Sequence, residues 1–312
     1  MAVDLLGGDH APAVVVDGAL HAFQDDPSLH LLLVGPHDAA DAMVAAIDPA
    51  QRGRVTHGAA ITQDQPDDGV RAAVRAVAHG EADAVVSAGN TAAIVVSAAR
   101  ALGRWPGVRR PPLAAVLPTV AGRLVLLDVG SAVDPDEHFL LMHARLGAAY
   151  AAVVHEVARP RVGLLTIGIE RGKGDRLRRA APPLFEAADL PAGARYVGLV
   201  EGNDVVTGAA ADVVVTDGFT GNILLKGLET AYAQLGPPGA PLNDGPAGVP
   251  RAALLLGVGG TVVVCHGAAS SSDLAAGIAL AANLHRRAAM VAMVDHVVNE
   301  EHSPHNEVSH DG

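Results

Sequence analysis

Residues 211–226 read Ala-Asp-Val-Val-Val-Thr-Asp-Gly-Phe-Thr-Gly-Asn-Ile-Leu-Leu-Lys, and this stretch predicts the fold. A run of β-branched apolar residues ends in a loop of glycine, threonine and asparagine, and an apolar segment with helical spacing follows. The pattern indicates a buried strand, a tight turn and the start of a helix. Backbone N–H groups at such strand-to-helix turns bind anions in parallel α/β sheets. We therefore expect residues 218–222 to bind phosphate.

The same pattern occurs again at residues 82–94, which read Ala-Asp-Ala-Val-Val-Ser-Ala-Gly-Asn-Thr-Ala-Ala-Ile. We expect these two loops, with the other glycine-bearing turns of the chain, to converge on one cleft at one edge of the sheet. The alternative is that glycine, asparagine and threonine here only form connections and helix caps, as they do in any α/β protein. For either loop taken alone, both interpretations stay open.

Apolar periodicity places further elements along the chain. Strands are predicted at residues 2–6, 29–34, 54–58, 113–116, 124–129, 162–167, 195–200 and 261–265. Helices are predicted at residues 14–23, 39–47, 70–79, 93–102, 138–158 and 274–298. Residues 62–69 are polar and rich in turn formers, so we expect an exposed loop there.

The composition favours one large α/β unit. Half of the 312 residues are hydrophobic but only 3% are aromatic, so the core must consist of closely packed alanine, valine and leucine, as in helices laid on a parallel sheet. We expect a single catalytic unit over residues 1–298, with a linker rich in proline and glycine at 236–250 and a polar, disordered tail at 299–312. The net charge of −12 argues against a nucleic-acid binder.

The chain has the features of a cytoplasmic protein. A single cysteine fits a reducing compartment. The first residues show no basic segment followed by an apolar run, so no signal peptide is predicted. No uninterrupted apolar stretch is long enough to span a bilayer.

Lysine usage points to two positions. Of the 22 basic residues, only Lys173 and Lys226 are lysines. They can mark sites where a compact ammonium is needed and a planar guanidinium does not serve. Lys173 lies in a glycine-flanked loop after a predicted strand, and we favour a functional role for it. Lys226 lies in the helix after the central loop, where an ordinary surface charge is the favoured interpretation.

Cys265 and His266 do not form a nucleophile pair, because neighbours on a strand point to opposite faces. Cys265 is predicted to be a core residue, and His266, just before Gly267, to face the cleft. The chain has no Gly-x-Ser-x-Gly elbow, no metal-ligand spacing and no Gly-x-Gly-x-x-Gly in a βαβ opening. Serine hydrolysis and hydride transfer are therefore unsupported.

A basic cluster around Trp105 consists of Arg100, Arg104, Arg109 and Arg110. On an acidic protein it is the best candidate surface for an acidic partner. A solvated helix end is the alternative and the favoured interpretation.

Five segments together resemble the bacterial phosphate acyltransferase family (PlsX). They are residues 4–12 (Asp-Leu-Leu-Gly-Gly-Asp-His-Ala-Pro), 87–91 (Ser-Ala-Gly-Asn-Thr), 127–130 (Leu-Asp-Val-Gly), 163–168 (Gly-Leu-Leu-Thr-Ile-Gly) with Lys173 and Gly174, and 216–222 (Thr-Asp-Gly-Phe-Thr-Gly-Asn). The matches follow the family order, continue to His266 and Gly267, and leave out residues 236–251.

The resemblance implies an enzyme that moves a fatty acyl group from acyl carrier protein to inorganic phosphate, for phospholipid synthesis. It implies a fold like that of isocitrate and isopropylmalate dehydrogenases and of phosphotransacetylase, and a homodimer. It also implies neither cofactor nor metal, a downstream membrane acyltransferase as partner, and weak association with the membrane.

We assign the chemistry to Lys173, Asp217 and His266. Lys173 would contact the phosphate or the developing oxyanion, His266 would protonate the leaving thiol, and Asp217 would orient one of these groups. The residues predicted to bind phosphate or the acyl donor are Gly7, Gly8, Asp9, Gly89, Asn90, Thr91, Thr220, Gly221 and Asn222.

Three departures from the family pattern leave other interpretations open. Residues 67–70 (Asp-Asp-Gly-Val) replace a basic segment, Ala92 replaces the glycine after Thr91, and the excursion after the central loop shrinks to residues 236–250. One alternative is a paralogue that uses another acyl thioester donor. The other is a non-catalytic relative that binds carrier protein or a dimer partner.

Overall fold

The apolar runs of the chain form one sheet in a computed structural model that describes residues 1–62, 64–170, 172–236 and 252–299. The strands are β1 (Ala2–Asp4), β2 (Leu31–Gly35), β3 (Val55–Ala60), β4 (Ala84–Ser87), β5 (Leu113–Thr119), β6 (Gly122–Leu127), β7 (Arg161–Leu165), β8 (Arg195–Val200), β9 (Val213–Val215), β10 (Ala252–Leu255) and β11 (Thr261–Cys265). The helices are α1 (Ala13–Asp25), α2 (His37–Ala46), α3 (Pro66–Ala78), α4 (Thr91–Ala101), α5 (Glu137–His155), α6 (Arg176–Ala180), α7 (Pro182–Ala187), α8 (Gly202–Thr207), α9 (Gly218–Leu235), α10 (Ser271–Arg286) and α11 (Ala289–Asn299). The predicted linker at 236–250 and the predicted tail at 299–312 lie, except for Gly236 and Asn299, outside the described residues.

Helices cover both faces of this sheet. Buried residues of α1, α5, α7, α10 and α11 pack on one face, and residues of α3, α4, α8 and α9 pack on the other. The predicted fold class, an α/β fold with a mostly parallel sheet between helices, is confirmed. Within the described ranges, no helix has both the length and the apolar character needed to cross a membrane.

The sheet consists of two parallel halves that run in opposite directions. The strand order is β3-β2-β1-β4-β11-β10-β5-β6-β9-β7-β8. The first five strands are parallel, and so are the last four. Between the halves, β10 and β5 pair antiparallel to each other and to their outer neighbours. Three successive antiparallel pairings reverse the strand direction.

This reversal corrects the expectation that all the glycine-bearing turns lie at one sheet edge. The loops after β1, β4 and β11 lie at one edge, here called the first edge. The loops after β6, β7 and β9 lie at the opposite edge, here called the second edge. Carboxyl ends of strands meet at one edge only where the strands are parallel, and the sequence pattern carries no information about direction.

Three local predictions are also corrected. The exposed loop predicted at 62–69 is shorter, because α3 begins at Pro66, a residue that favours the first position of a helix. The helix predicted at 274–298 is two helices, separated at Ala288 with a φ of 48°. Strand β10 was not predicted, because glycines follow its short apolar run.

Helix α9 lies unusually close to the loop that follows β6. A Cβ atom added to Gly221 would lie 2.0 Å from the carbonyl oxygen of Asp128, and one added to Gly218 would lie 2.8 Å from the carbonyl oxygen of Ala132. The Asp128 carboxylate holds this loop in shape by accepting the amide N–H groups of Ser131 and Ala132. The loop and the first two turns of α9 therefore form one rigid contact.

We expect Gly221→Ala to destabilise the protein by about 1–3 kcal/mol, because the added methyl group meets backbone that cannot move independently. Gly227 lies in the same helix with no atom within 4 Å of an added Cβ. Gly227→Ala should stabilise the protein by about 0.5–1 kcal/mol through helix propensity alone. Urea unfolding of both variants measures the difference. Equal unfolding midpoints would contradict the close packing of α9 against the loop after β6.

Candidate active site

The loops after β1, β4 and β11 pack against one another at the first edge. A Cβ atom added to Gly7 would lie 2.6 Å from the amide nitrogen of Gly89, and one added to Gly8 would lie 3.1 Å from the carbonyl oxygen of Gly267. The amide of Asp9 donates to that same carbonyl oxygen at 2.7 Å. These glycines are thus needed for the close approach of three backbone segments.

A buried carboxylate braces this assembly. Asp4 accepts the hydroxyl of Ser87 at 2.6 Å and the amide of Leu6 at 3.1 Å. The hydroxyl oxygen of Ser87 in turn accepts the amide of Gly89 at 3.0 Å. Burial raises the pKa of Asp4 to about 6, although both of its hydrogen bonds act in the opposite direction.

Side-chain helix caps are present at both loops that we expected to bind phosphate. Asn90 accepts the amides of Ala92 and Ala93 at the start of α4. Asp217 accepts both the amide and the hydroxyl of Thr220 at 2.8 Å at the start of α9. The capping alternative describes the structure correctly at both loops. A phosphate that binds the amides of Ala92, Ala93 or Thr220 has to displace a cap.

A buried arginine connects the elements of the second edge. Arg178 donates to the carbonyl oxygen of Leu165 at 3.2 Å, to the hydroxyl of Thr216 at 2.9 Å and to the carboxylate of Asp175 at 3.0 Å. It also forms an ion pair with Asp217. Burial acts to raise the pKa of Asp217, but the hydrogen bonds from Thr220 and Arg178 outweigh it and lower that pKa.

Beside Arg178 lies a cavity of about 540 Å³, here called the apolar cavity. It opens between the end of β7 and the first two turns of α9. The residues that line it are Leu165, Thr166, Ile167, Gly174, Asp175, Arg178, Gly202, Phe219, Thr220, Ile223 and Leu224.

On the other flank of α9 lies a cavity of about 70 Å³, here called the small cavity. Its polar lining residues are Thr91, Asn222, Glu229 and His266. The Nζ atom of Lys226 lies 2.9 Å from Nε2 of His266 at its margin. Asn222 donates to the carbonyl oxygen of Val129, in the loop after β6, at 3.0 Å, whereas Thr91 follows β4, so the small cavity extends between the two sheet edges beside α9.

The orientation of the His266 ring follows from its hydrogen bonds. The amide N–H of Ala268 donates to Nδ1 at 3.0 Å, so Nδ1 provides a lone pair. In the neutral ring the proton is then on Nε2, and this N–H can donate to Nζ of Lys226 only where that amine is uncharged, because an ammonium has no lone pair. Two nitrogen atoms that can each carry a proton therefore meet at the margin of the small cavity. An oxyanion in the cavity can accept hydrogen bonds from these nitrogen atoms.

The structure distributes the predicted site residues over two regions. His266, Thr91 and Asn222 line the small cavity. Thr220 lines the apolar cavity, and Asp217 is buried against Arg178 close by. The glycines and Asp9 of the first edge, Gly7, Gly8 and Gly89, form the loop contacts described above.

Lys173 lies in an exposed loop, where its amide donates to the carbonyl oxygen of Glu170. Among the described residues it lines neither cavity. The site roles assigned to Lys173 and Asp217 stay predictions.

Two residues of these regions were not assigned a role from the sequence. Lys226 was favoured as a surface charge, yet its ammonium contacts His266. The rarity of lysine in this chain was the signal that pointed to it. Arg178 lay among several arginines in residues 171–179, and no pattern distinguishes the buried one.

Comparison with protein families and individual proteins agrees with the resemblance seen in the sequence. The family model described as "Fatty acid synthesis protein" matches residues 1–236. The chain is 39% identical over 315 aligned positions to a phosphate acyltransferase of Thermobifida fusca, covering 91% of this chain and 87% of the relative. It is 41% identical over 247 positions to a phosphate acyltransferase of Brevibacillus brevis, covering 75% and 72% of the two chains.

Solved structures with the same fold include acyl-transferring enzymes. A branched-chain phosphotransacylase from Enterococcus faecalis superposes with a TM-score of 0.57 at 15% identity, covering 92% of this chain and 98% of its own. The EutD phosphotransacetylase from Staphylococcus aureus gives a TM-score of 0.56 at 16% identity and covers 94% of each chain. At this identity the likeness concerns the fold alone, and it confirms the predicted similarity to the phosphotransacetylase fold.

Asp4 generates a pH dependence of stability. Because its folded-state pKa of about 6 exceeds the unfolded value of 3.8, the folded protein binds the proton more tightly. The stabilisation is present in full below pH 4 and falls by about 3 kcal/mol as pH rises to 6. We expect Asp4→Asn to lack this decline when urea unfolding is measured at several pH values.

Ser87→Ala serves as the control for this measurement. It removes a hydrogen bond that lowers the pKa of Asp4 but keeps the carboxyl group, so the decline should be larger and should extend to higher pH. If the stability of Asp4→Asn falls with pH as much as that of the parent protein, the decline belongs to another titrating group.

Proposed function

The chain belongs to the phosphate acyltransferase family, and we propose that it transfers a fatty acyl group from acyl carrier protein to inorganic phosphate. The product would be an acyl phosphate for phospholipid synthesis. The observation that carries the proposal is the contact of Lys226 with His266 at the margin of the small cavity. It places a lysine amine and an imidazole nitrogen atom together where α9 reaches the loop after β11.

The chemistry requires positioning and charge stabilisation more than a protein nucleophile. An oxygen of hydrogen phosphate attacks the thioester carbonyl carbon, and the carbonyl oxygen takes up negative charge in the tetrahedral intermediate. The intermediate collapses as the carbon–sulfur bond breaks and the acyl phosphate forms. The sulfur leaves as a thiol, and the hydroxyl of hydrogen phosphate is the net source of its proton.

We assign the charge stabilisation to Lys226 and the proton transfer to His266. The ammonium of Lys226 can neutralise phosphate or the oxyanion, because it lies beside His266 at the margin of the small cavity and a charged donor forms strong hydrogen bonds to an anion. Nε2 of His266 can deliver a proton to the leaving sulfur, and phosphate resupplies it. The small cavity has room for a small anion, and the side chains of Thr91 and Asn222 can hold it.

The other predicted site residues have positioning roles in the proposal, apart from Lys173. Gly7, Gly8, Asp9 and Gly89 shape the first edge around the small cavity. Asp217, Thr220 and Gly221 fix the start of α9 and thereby the position of Lys226. The direct role of Lys173 at the phosphate stays an alternative to Lys226, because a loop lysine can reach a bound donor.

The proposed partners follow from the family. Acyl carrier protein would deliver the donor, and the exposed Arg100 and Arg110 of the basic cluster are its candidate contacts. Arg109 is engaged by Asp136 and stacks on Phe139, so it contributes less to such a surface. A homodimer, a cytoplasmic location with weak membrane association and a downstream membrane acyltransferase complete the proposal.

The direct assay incubates the purified protein with palmitoyl carrier protein and phosphate. Release of free carrier thiol with a hydroxylamine-sensitive product supports the proposal. Turnover of other acyl carrier or acyl-CoA donors, but not this one, would indicate the paralogue with a different donor. Carrier binding without phosphate-dependent loss of thioester would indicate the non-catalytic relative.

The two lysines form a matched pair for testing the mechanism. We expect Lys226→Ala to lower kcat/KM for phosphate by about 100-fold or more, the usual effect of removing one group that stabilises a developing oxyanion. Lys173→Ala should have a much smaller effect. Both residues are exposed, so circular dichroism should show folded protein in each case. A larger loss in Lys173→Ala would return the catalytic role to that residue.

A further inference from the structure

The apolar cavity has no role in the reaction as proposed so far. Its volume of about 540 Å³ lies in the range of small-molecule sites, roughly 300–1,000 Å³. Large apolar side chains at its mouth are exposed to solvent: Ile167 is 84% exposed, Phe219 is 59% exposed and Ile223 is 58% exposed. Adjacent exposed apolar groups of this size mark a surface that binds something apolar.

The polar groups that line the apolar cavity already have hydrogen-bond partners within the chain. Arg178 is engaged by Leu165, Thr216 and Asp217, as described above. The hydroxyl of Thr220 donates to Asp217. Because these groups are satisfied, the cavity offers a ligand mainly contact with hydrocarbon.

A continuous stripe of α9 connects the apolar cavity with the proposed reaction centre. Phe219, Ile223 and Lys226 are spaced four and three residues apart, so they lie on one face of the helix. All three are exposed, and the first two line the cavity. From Lys226 to Phe219 the helix rises about 10 Å. The stripe thus leads from a charged end at His266 to an apolar end.

We propose that the apolar cavity binds the hydrocarbon chain of the acyl donor, which runs along this stripe from a thioester at Lys226 and His266. The inference rests on the proposed function and names where its substrate lies. Short acyl chains end on the stripe, and longer ones enter the cavity. The small cavity, at about 70 Å³, has no room for such a chain and is left to the anion.

Gly202 provides the test. Gly202 lines the apolar cavity, and a Cβ atom added to it would have no atom within 4 Å. Its backbone is not left-handed, so the fold can accommodate a larger residue there. The phenyl ring of Gly202→Phe would then occupy the cavity. Ile223→Gln makes the stripe polar at an exposed position. Gly53→Phe is the matched control, because Gly53 is equally open and lines neither cavity.

Acyl donors of increasing length are assayed with phosphate. In the parent protein and in Gly53→Phe, we expect kcat/KM to rise by up to about fourfold for each methylene that enters the cavity. Gly202→Phe and Ile223→Gln should lower the long-to-short ratio of kcat/KM at least tenfold. A ratio unchanged in both variants overturns the proposal.

A binding measurement separates this inference from the proposed activity. Dansyl-labelled undecanoic acid should bind the parent protein and Gly53→Phe, be displaced by palmitate but not by hexanoate, and bind Gly202→Phe at least tenfold more weakly. This result supports the chain site even if no donor is turned over, in which case only the proposed function fails. Equal probe binding in Gly202→Phe overturns the site. The alternative outcome is that Ile223→Gln loses self-association, as measured by light scattering, while its dependence of kcat/KM on acyl-chain length stays as in the parent protein. That result also overturns the site and identifies the stripe as an interface between copies of the chain.

Discussion

Helix α9 approaches the loop at Asp128 so closely that only glycine fits at position 221. This contact fixes the start of the helix at the second edge, and the helix then runs back toward the first edge. It carries Lys226 to His266, while Asn222, one turn earlier, contacts Val129 in the loop after β6. Because the two halves of the sheet run in opposite directions, their loops cannot meet by strand direction alone. The candidate active site therefore depends on where one helix is seated.

The same helix separates two chemical environments. One flank meets the small cavity, where polar groups from α4 and the loop after β11 gather. The other flank meets the apolar cavity. The outward face carries both a lysine and two large apolar residues. An acyl thioester has the same division, since its reacting carbonyl is polar and its chain is apolar. The arrangement fits the acyl thioester donor proposed above.

The buried ion pair of Arg178 and Asp217 has a structural role in this arrangement. Burying two charges costs free energy unless the remaining donors and acceptors are satisfied. Here the guanidinium also bonds Leu165 and Thr216, and the carboxylate also accepts Thr220. The pair thus joins β7, β9 and the start of α9. At the first edge, Asp4 has a similar role, with a carboxyl group whose raised pKa reflects its burial.

The sequence by itself determined most of the strands and long helices, the fold class and the family. Valine-rich runs at 84–87, 213–215 and 261–265 predicted strands, and the five family segments pointed to phosphate acyltransferases. These signals are local, because periodicity and motif spacing depend on neighbouring residues. Strand direction, the capping of the loop amides and the contact of Lys226 with His266 were decided only by the tertiary structure. They depend on pairings between distant segments, such as β10 between β11 and β5, and no local pattern encodes those.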